Sequence, residues 1–213
     1  MNRIELIDNG DSLASEAYRT LRSNILFSNY SNLQTILVTG SQPGEGKSTT
    51  SVNLAVSLAQ MEKKVLLIDA DMRKPTLHHY FAQRSRGGLS EVLSNQVRLN
   101  ECLLQVPDSS LSVLLSGSIP PNPAEMLNSE AMTELFDALK EFYDFIIIDS
   151  PPVLAVTDAQ ILSTKVDACI MVTDTQLTKR KQLLEVKRRL ANVNAPILGI
   201  VSNRMDNTTG DYY

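Results

Sequence analysis

The 213-residue chain has few of the features that are typical of secreted proteins, of proteins stabilised by a structural metal or of membrane proteins. It contains two cysteines and no tryptophan, and no stretch approaches the roughly 20 apolar residues of a membrane-spanning helix. Cys102 and Cys169 are too far apart for any metal-binding spacing, and Cys169 lies in an apolar run that predicts a buried, reduced thiol. The first residues lack the apolar core of a signal peptide. We therefore expect a cytoplasmic protein.

An excess of positive charge is also missing. Lysine and arginine number 20 against 24 acidic residues, for a net charge of −4, which argues against a nucleic-acid partner. Hydrophobic residues make up 43% of the chain, enough for one sizeable core, and the length fits a single domain. We predict one domain over residues 1–205 and a flexible polar tail over residues 206–213.

Short apolar runs rich in β-branched residues alternate with helical patterns, which is typical of βαβ units. Strands are predicted at residues 35–39, 65–69, 111–115, 145–149, 168–173 and 197–202. Helices are predicted at residues 12–28, 47–60, 88–94, 129–142, 157–163 and 178–191. Several strands are apolar throughout, as expected when helices cover both faces of a sheet. The predicted fold is a doubly wound α/β domain with a largely parallel sheet. Its ligands would lie at the carboxyl ends of the strands.

The three prolines within residues 116–123 predict a rigid connection there, neither helix nor central strand.

The segment SQPGEGKST at residues 41–49 follows the first predicted strand and opens a helix. It is close to the pattern G-x-x-x-x-G-K-[ST], with Ser41 in place of the first glycine. Glycines let backbone N–H groups converge on phosphate oxygens, and the helix N-terminus adds positive charge. A surface turn is the alternative, and the strand before and helix after disfavour it. We predict that Lys47 contacts the phosphates of ATP and that the Ser48 hydroxyl binds Mg²⁺. The predicted ATP-binding residues here are Gly44, Glu45, Gly46, Lys47, Ser48 and Thr49.

Three aspartates end predicted strands: Asp69 and Asp71 end one, and Asp149 ends another. Carboxylates at this edge of a sheet can hold Mg²⁺ directly or through water. We assign Asp71 and Asp149 to the metal and Asp69 to proton acceptance, although Asp69 and Asp71 could exchange roles. Simple capping of the strand ends is the alternative. Arg73 would contact phosphate or pair with an aspartate.

Asn203 and Arg204 directly follow the last predicted strand. We predict that the Asn203 amide pairs with the adenine edge and that Arg204 stacks on the base. The predicted helix before this strand is strongly basic. We interpret it mainly as a solvated face, with contact to acidic lipid or a partner left open.

Five segments together resemble the bacterial tyrosine kinase (BY-kinase) family of capsular and exopolysaccharide biosynthesis, over nearly the whole chain. They are EAYRTLR at residues 16–22, PGEGKS at 43–48, DADMRKP at 69–75, GSIPPNPAE at 117–125 and DSPP at 149–152. The first is similar to the family's E-x-x-R-x-x-R helix, and the third to its extra acidic motif after the second strand.

The resemblance implies an ATP- and Mg²⁺-dependent kinase that phosphorylates protein tyrosines, including a C-terminal cluster on a neighbouring subunit. Here that cluster is Tyr212 and Tyr213. It further implies a ring-like homo-oligomer formed through Glu16, Arg19 and Arg22, although charge pattern alone favours an exposed, ion-paired helix face. The remaining implied partners are a cognate tyrosine phosphatase and a separate transmembrane adaptor that recruits the kinase to the inner face of the membrane.

Two alternatives remain at this point. ATPases of the ParA/MinD type share the predicted fold, but they carry a second lysine near the start of the phosphate loop, where this chain has Ser41, Gln42 and Pro43. They also have a membrane-targeting amphipathic tail, which residues 206–213 do not resemble. A non-enzymatic, ATP-bound scaffold would need fewer carboxylates than this chain supplies.

Overall fold

A seven-stranded sheet forms the centre of the computed structural model, which describes residues 4, 7, 9–28, 32–81 and 85–205. The strand order is β3-β4-β2-β5-β1-β6-β7, and every neighbouring pair is parallel except β3 with β4. The strands are β1 Thr35–Gly40, β2 Val65–Asp69, β3 Leu103–Gln105, β4 Leu111–Leu114, β5 Phe145–Asp149, β6 Ala168–Asp174 and β7 Ile197–Asn203.

Helices cover both faces of this sheet. They are α1 Leu13–Leu26, α2 Lys47–Ala59, α3 Leu89–Leu93, α4 Leu99–Cys102, α5 Pro123–Asn128, α6 Glu130–Lys140, α7 Asp158–Ser163 and α8 Arg180–Ala191, with a 3₁₀ turn at Leu77–His79. In β1, Ile36 and Val38 face the core beneath α2, whereas Leu37 faces the core beneath α6. All six residues of β1 are therefore buried, which explains why its sequence does not alternate.

Local signals in the sequence set several helix boundaries. The Ser12 hydroxyl accepts the backbone N–H of Ser15 and starts α1, and Ser129 does the same for α6 by accepting from Met132. The helix α2 begins directly at the glycine-rich segment, with Gly46 in the left-handed region at φ 91°.

The predicted fold is confirmed, and the bounds of all six predicted strands agree with the structure to within one residue. Besides the 3₁₀ turn, three elements were missed: the short antiparallel edge strand β3, the single-turn helix α4 and the helix α5. The exclusion of helix up to residue 123 was wrong at its last position, because α5 begins at Pro123. A proline fits the first turn of a helix, where its missing N–H would have no partner.

The predicted tail, with Tyr212 and Tyr213, lies outside the described residues. Among the helices that the structure describes, none is both long and apolar enough to cross a lipid bilayer.

Candidate active site

The candidate site lies at the carboxyl ends of three central strands. Strand β5 pairs with β1 on one side and with β2 on the other, so the loop after β1 is next to the aspartates that end β5 and β2. Asp69 and Asp149 are direct partners in the register of these strands. The sheet thus brings together two carboxylates that are 80 positions apart in the sequence (149 − 69 = 80).

Two glycines give the phosphate loop its shape. Gly44 and Gly46 have φ values of 88° and 91°, in the left-handed region that side chains disfavour. A Cβ on Gly46 would also collide with the amide nitrogen of Asn203. Only glycine therefore suits position 46, at the point where the loop enters α2.

The Glu45 carboxylate, which is fully buried, holds the first part of the loop. It accepts the backbone N–H groups of Ser41 at 2.6 Å and Gln42 at 3.0 Å, and also the Ser41 hydroxyl. The hydroxyl of Thr178, just before α8, donates to the same carboxylate at 2.6 Å. Glu45 was predicted as a loop residue, but the role of its side chain and the part of Thr178 were missed.

Lys47 is buried at the start of α2, with 8% of its surface exposed. Its Nζ donates to the Gln42 carbonyl oxygen at 3.0 Å. Burial lowers the pKa of Lys47, and the nearby carboxylates of Asp149, Glu45 and Asp71 oppose this shift. The Lys47 amine is thus largely shielded from water and lies near three carboxylates. Such a desolvated amine is suited to binding phosphate.

Hydroxyl groups connect α2 with the strands and with the segment after β2. Ser51 donates to Asp149 at 2.9 Å, and Thr76 donates to the Ser48 hydroxyl at 2.8 Å. The Thr49 hydroxyl lies 2.8 Å from the Tyr80 hydroxyl. No local sequence pattern marked Ser51, Thr76 or Tyr80 as part of this site.

The buried aspartates repel each other and favour a cation. Burial, together with the charge of Asp149, raises the pKa of Asp69 to about 8, although backbone N–H groups of Leu77 and Thr76 donate to its carboxylate. Burial likewise raises the pKa of Asp149 to about 6, against hydrogen bonds from Ser48 and Ser51. A divalent ion would lower both pKa values and relieve the repulsion.

Asp71 is half-buried and accepts the backbone N–H groups of Arg73 at 3.2 Å and Lys74 at 2.9 Å. Burial raises its pKa as well. The guanidinium of Arg73 makes two contacts with Asp158, at 2.8 and 3.0 Å. Arg73 therefore pairs with an aspartate, as one of the two alternatives predicted, but its partner at the start of α7 was not foreseen.

The residues present fit a magnesium ion held jointly with a nucleotide. No group of three or more His, Cys, Asp or Glu residues in the described ranges forms a protein-only metal cluster. Mg²⁺ in nucleotide sites usually takes one or two carboxylates, a hydroxyl, phosphate oxygens and water. Ser48, Asp71 and Asp149 are the predicted ligands, and Asp69 is adjacent to Asp149.

The end of β7 also reaches the phosphate loop. The Asn203 amide nitrogen donates to the Glu45 carbonyl oxygen at 3.1 Å. Arg204, which has a φ of 53°, pairs instead with the fully buried Asp174 at 2.7 Å. The structure thus places Asn203 at the predicted nucleotide site. Arg204 is the next residue, and its guanidinium is paired with Asp174.

The residues predicted to mediate self-association lie on α1, away from the phosphate loop. Arg19 pairs with Glu16 at 3.0 Å and donates to the Gly10 carbonyl oxygen at 2.6 Å. Arg22 turns toward its own chain and donates to the Ser57 carbonyl oxygen in α2 at 2.8 Å. The three side chains therefore have contacts within one subunit, and their role between subunits stays a prediction.

A cavity of about 640 Å³ lies elsewhere, between the carboxyl end of α2 and the connection from β3 to β4. Its lining includes Ala59, Gln60 and Pro107. The phosphate loop meets the opposite end of α2, so this cavity is not part of the site.

Comparison with known proteins shows the family to which the chain belongs. A family model described as "AAA domain" matches residues 33–197. The chain is 45% identical to the tyrosine-protein kinase YwqD of Bacillus subtilis over 193 residues, which are 90% of this chain and 81% of that protein. The chain belongs to the bacterial tyrosine-protein kinases. It is also 38% identical to the putative tyrosine-protein kinase CapB of Staphylococcus aureus, over 97% of this chain and 92% of that protein.

Solved structures of similar proteins support the same family assignment. The kinase domain of the Escherichia coli tyrosine kinase ETK superimposes with a TM-score of 0.92 at 31% identity, over 100% of this chain and 84% of that one. The chimeric protein CapA2B2 gives 0.91 at 40% identity, over 95% and 89%. The cell division ATPase MinD of Pyrococcus furiosus gives 0.69 at 24% identity, over 81% and 74%, which shows a shared fold alone. The family and the kinase activity predicted from the sequence are confirmed, and the MinD-type alternative is not favoured.

Proposed function

We propose that this tyrosine-protein kinase transfers the γ-phosphoryl group of Mg·ATP to the tyrosines of its own C-terminal tail, on a neighbouring subunit. The proposal rests chiefly on one observation: Asp69 and Asp149 are register partners at the sheet edge where the phosphate loop begins. A phosphate loop alone binds nucleotide. A buried pair of carboxylates beside it supplies both a place for the metal and a proton acceptor.

The residues have separate roles in the transfer. Lys47 stabilises the negative charge that develops on the γ-phosphoryl oxygens. Ser48, Asp71 and Asp149 would hold Mg²⁺, which would neutralise negative charge on the phosphates of ATP. The tyrosine oxygen forms the new bond to phosphorus as the bond to the β-phosphate oxygen breaks, and ADP leaves.

Asp69 accepts the tyrosine proton. Its burial supports this role, since a desolvated carboxylate holds a proton more tightly than an exposed one, although bound Mg²⁺ would lower its pKa below the value of about 8 that it has without metal. The greater exposure of Asp71 is the argument for exchanging the two roles, because a half-buried carboxylate is easier for a substrate to approach.

The adenine would lie near the end of β7. Asn203 already approaches the phosphate loop through Glu45, which supports a contact between its amide and the base. Arg204 would stack on the base while it remains paired with Asp174.

The kinase would act with several partners. Family membership supports an oligomer and an adaptor, and the chimeric protein CapA2B2 is a relative whose name joins two components. We propose a ring-like homo-oligomer, a separate transmembrane adaptor that recruits the kinase to the inner face of the membrane, and a cognate tyrosine phosphatase. The role of the kinase would be to regulate capsular or exopolysaccharide synthesis and export.

The test is to incubate the purified protein with radiolabelled Mg·ATP and to measure phosphotyrosine and free phosphate separately. We expect labelled phosphotyrosine in the parent protein and none in a folded Lys47→Met variant. Free phosphate without phosphotyrosine would instead indicate an ATPase switch. Neither product, with ATP still bound, would indicate a scaffold.

A further inference from the structure

Helix α8 has one exposed face on which a leucine is surrounded by cations. The helix packs against the sheet through Val186 and Leu190, which are buried. On the opposite side Leu184 is 56% exposed. The positions four and three residues before it, and three and four residues after it, are its neighbours on the helix surface. All four are exposed and basic, and with Leu184 they form what we call the basic face: Arg180, Lys181, Leu184, Lys187 and Arg188.

The positive charge of the basic face is largely unneutralised. Glu185 is the single acid in α8, and both Arg188 and Arg189 donate to it, at 2.8 and 3.1 Å. Among the described residues, Arg180, Lys181 and Lys187 have no ion pair. The chain as a whole has a net charge of −4, so the charge of the basic face is opposite in sign to that of the whole protein.

We propose that the basic face binds directly to a membrane surface rich in acidic lipid, with Leu184 inserted between the headgroups. Lysine and arginine side chains next to an anionic bilayer are attracted to its headgroups, while an apolar side chain on the same helix face enters the boundary with the acyl chains. The long basic side chains can extend around Leu184 and keep their charges at headgroup level.

A membrane surface fits this face better than another macromolecule does. Stable protein interfaces usually bury about 800 Å² on each partner around an apolar centre. A single leucine surrounded by charged side chains is too small to form such an apolar centre. A nucleic acid would attract the cations but would leave Leu184 in water. The contact goes beyond the proposed recruitment by an adaptor, because it is made by the kinase itself.

The position of α8 leaves the active site free. None of the five side chains of the basic face contacts the phosphate loop; the links are made by Thr178, which precedes the helix and binds Glu45, and by Gln182 of α8, whose amide donates to the Gln42 side chain at 3.1 Å. Changes on the basic face should therefore alter membrane binding without altering tail phosphorylation in solution.

The test is sedimentation of the purified protein with lipid vesicles. We expect binding to vesicles of mixed phosphatidylcholine and phosphatidylserine, little binding to phosphatidylcholine alone, and weaker binding at high salt. The double change Lys181→Glu and Lys187→Glu should weaken binding at least about tenfold, since each basic side chain contributes to attraction by an anionic surface. The change Leu184→Ser should reduce the binding that persists at high salt.

The matched control is Lys64→Glu with Arg98→Glu, which changes the net charge equally. Both side chains are exposed, and they lie near β2 and α4 rather than on α8. A control that loses as much binding as the α8 variant would overturn the proposal, as would unchanged binding by Leu184→Ser or no binding of the parent to acidic vesicles. Tighter binding of short duplex DNA through the same face would make it a nucleic-acid interface instead. Phosphotyrosine formation without vesicles, equal in all variants, separates these results from failure of the kinase assignment.

Discussion

At the scale of single residues, Glu45 determines which part of the phosphate loop is free for an anion. Its carboxylate already accepts the N–H groups of Ser41 and Gln42, and Pro43 has no N–H to offer. Phosphate oxygens must therefore be bound by N–H groups from Gly44 onward. The ATP-binding residues predicted from the loop pattern also begin at Gly44, and their contacts with ATP stay a prediction.

Replacing Glu45 with Gln should loosen the loop. The amide keeps one oxygen and turns an NH₂ group toward donors that the carboxylate now accepts, so the buried N–H and hydroxyl groups lose partners. We expect the free energy of unfolding to fall by about 1–3 kcal/mol and the KM for ATP to rise. Thermal unfolding and kinase kinetics measure the two effects. Glu62→Gln, at an exposed position, is the control, and an equal effect there would contradict this role of Glu45.

The buried pair Asp69 and Asp149 should make stability depend on pH. Their pKa values, raised from 3.8 to about 8 and about 6, mean that the folded protein holds protons which the unfolded chain releases. In the absence of metal and nucleotide, the free energy of unfolding should therefore fall as the pH rises from about 4 to about 8.

Asp149→Asn should remove part of this dependence, because the amide stays neutral and still offers an oxygen to Ser51. Near pH 8, without metal or nucleotide, we expect the variant to be more stable than the parent by roughly 1–3 kcal/mol. The advantage should disappear toward pH 4, where both aspartates of the parent are protonated. Thermal unfolding across this range is the measurement. A variant less stable than the parent near pH 8 would argue against repulsion between the carboxylates.

At the scale of elements, α1 has two different sides. Arg22 packs toward α2, and its Nε, like the Ser57 hydroxyl, has no hydrogen-bond partner among the described residues. Glu16 and Arg19 are more accessible, with 65% and 34% of their side-chain surface exposed. A contact between subunits would thus meet Glu16 and Arg19 first, with Arg22 supporting the helix from within.

The double change Glu16→Ala and Arg19→Ala should therefore shift the oligomer toward monomer with little loss of thermal stability. Arg22→Ala should lower the melting temperature of the subunit itself, because it removes the hydrogen bond to Ser57 and leaves space between two helices. Analytical ultracentrifugation and thermal unfolding separate the two results. If the double variant sediments like a parent that oligomerises, the exposed ion-pair interpretation of this face is correct.

At the scale of the whole molecule, the last strand ends beside the phosphate loop. Asn203 contacts Glu45, so the chain enters residues 206–213 close to its own active site. Eight extended residues reach at most roughly 25–30 Å. Length alone therefore permits transfer within one subunit, and the family resemblance is what favours transfer between subunits.

A mixing experiment decides between these routes. A Lys47→Met protein cannot catalyse, and an active protein with Tyr212→Phe and Tyr213→Phe cannot be labelled on the tail. We expect phosphotyrosine on the tail of the Lys47→Met partner when the two proteins are combined with labelled Mg·ATP. One protein carries a tag that makes it larger, so that the two can be separated by size before the label is measured. An unlabelled mixture, with a parent that labels itself at every dilution, would make the reaction intramolecular.

The sequence by itself determined the fold, the edge of the sheet where ligands bind, and the family. Apolar runs and helical periodicity are local patterns, and carboxylates that end parallel strands must meet at one edge. Only the tertiary structure decided which side chains support the site. Thr178 reaches Glu45 across 133 positions, and Asp158 reaches Arg73 across 85. Such partners depend on which loops the folded chain brings side by side, and no local pattern encodes that proximity.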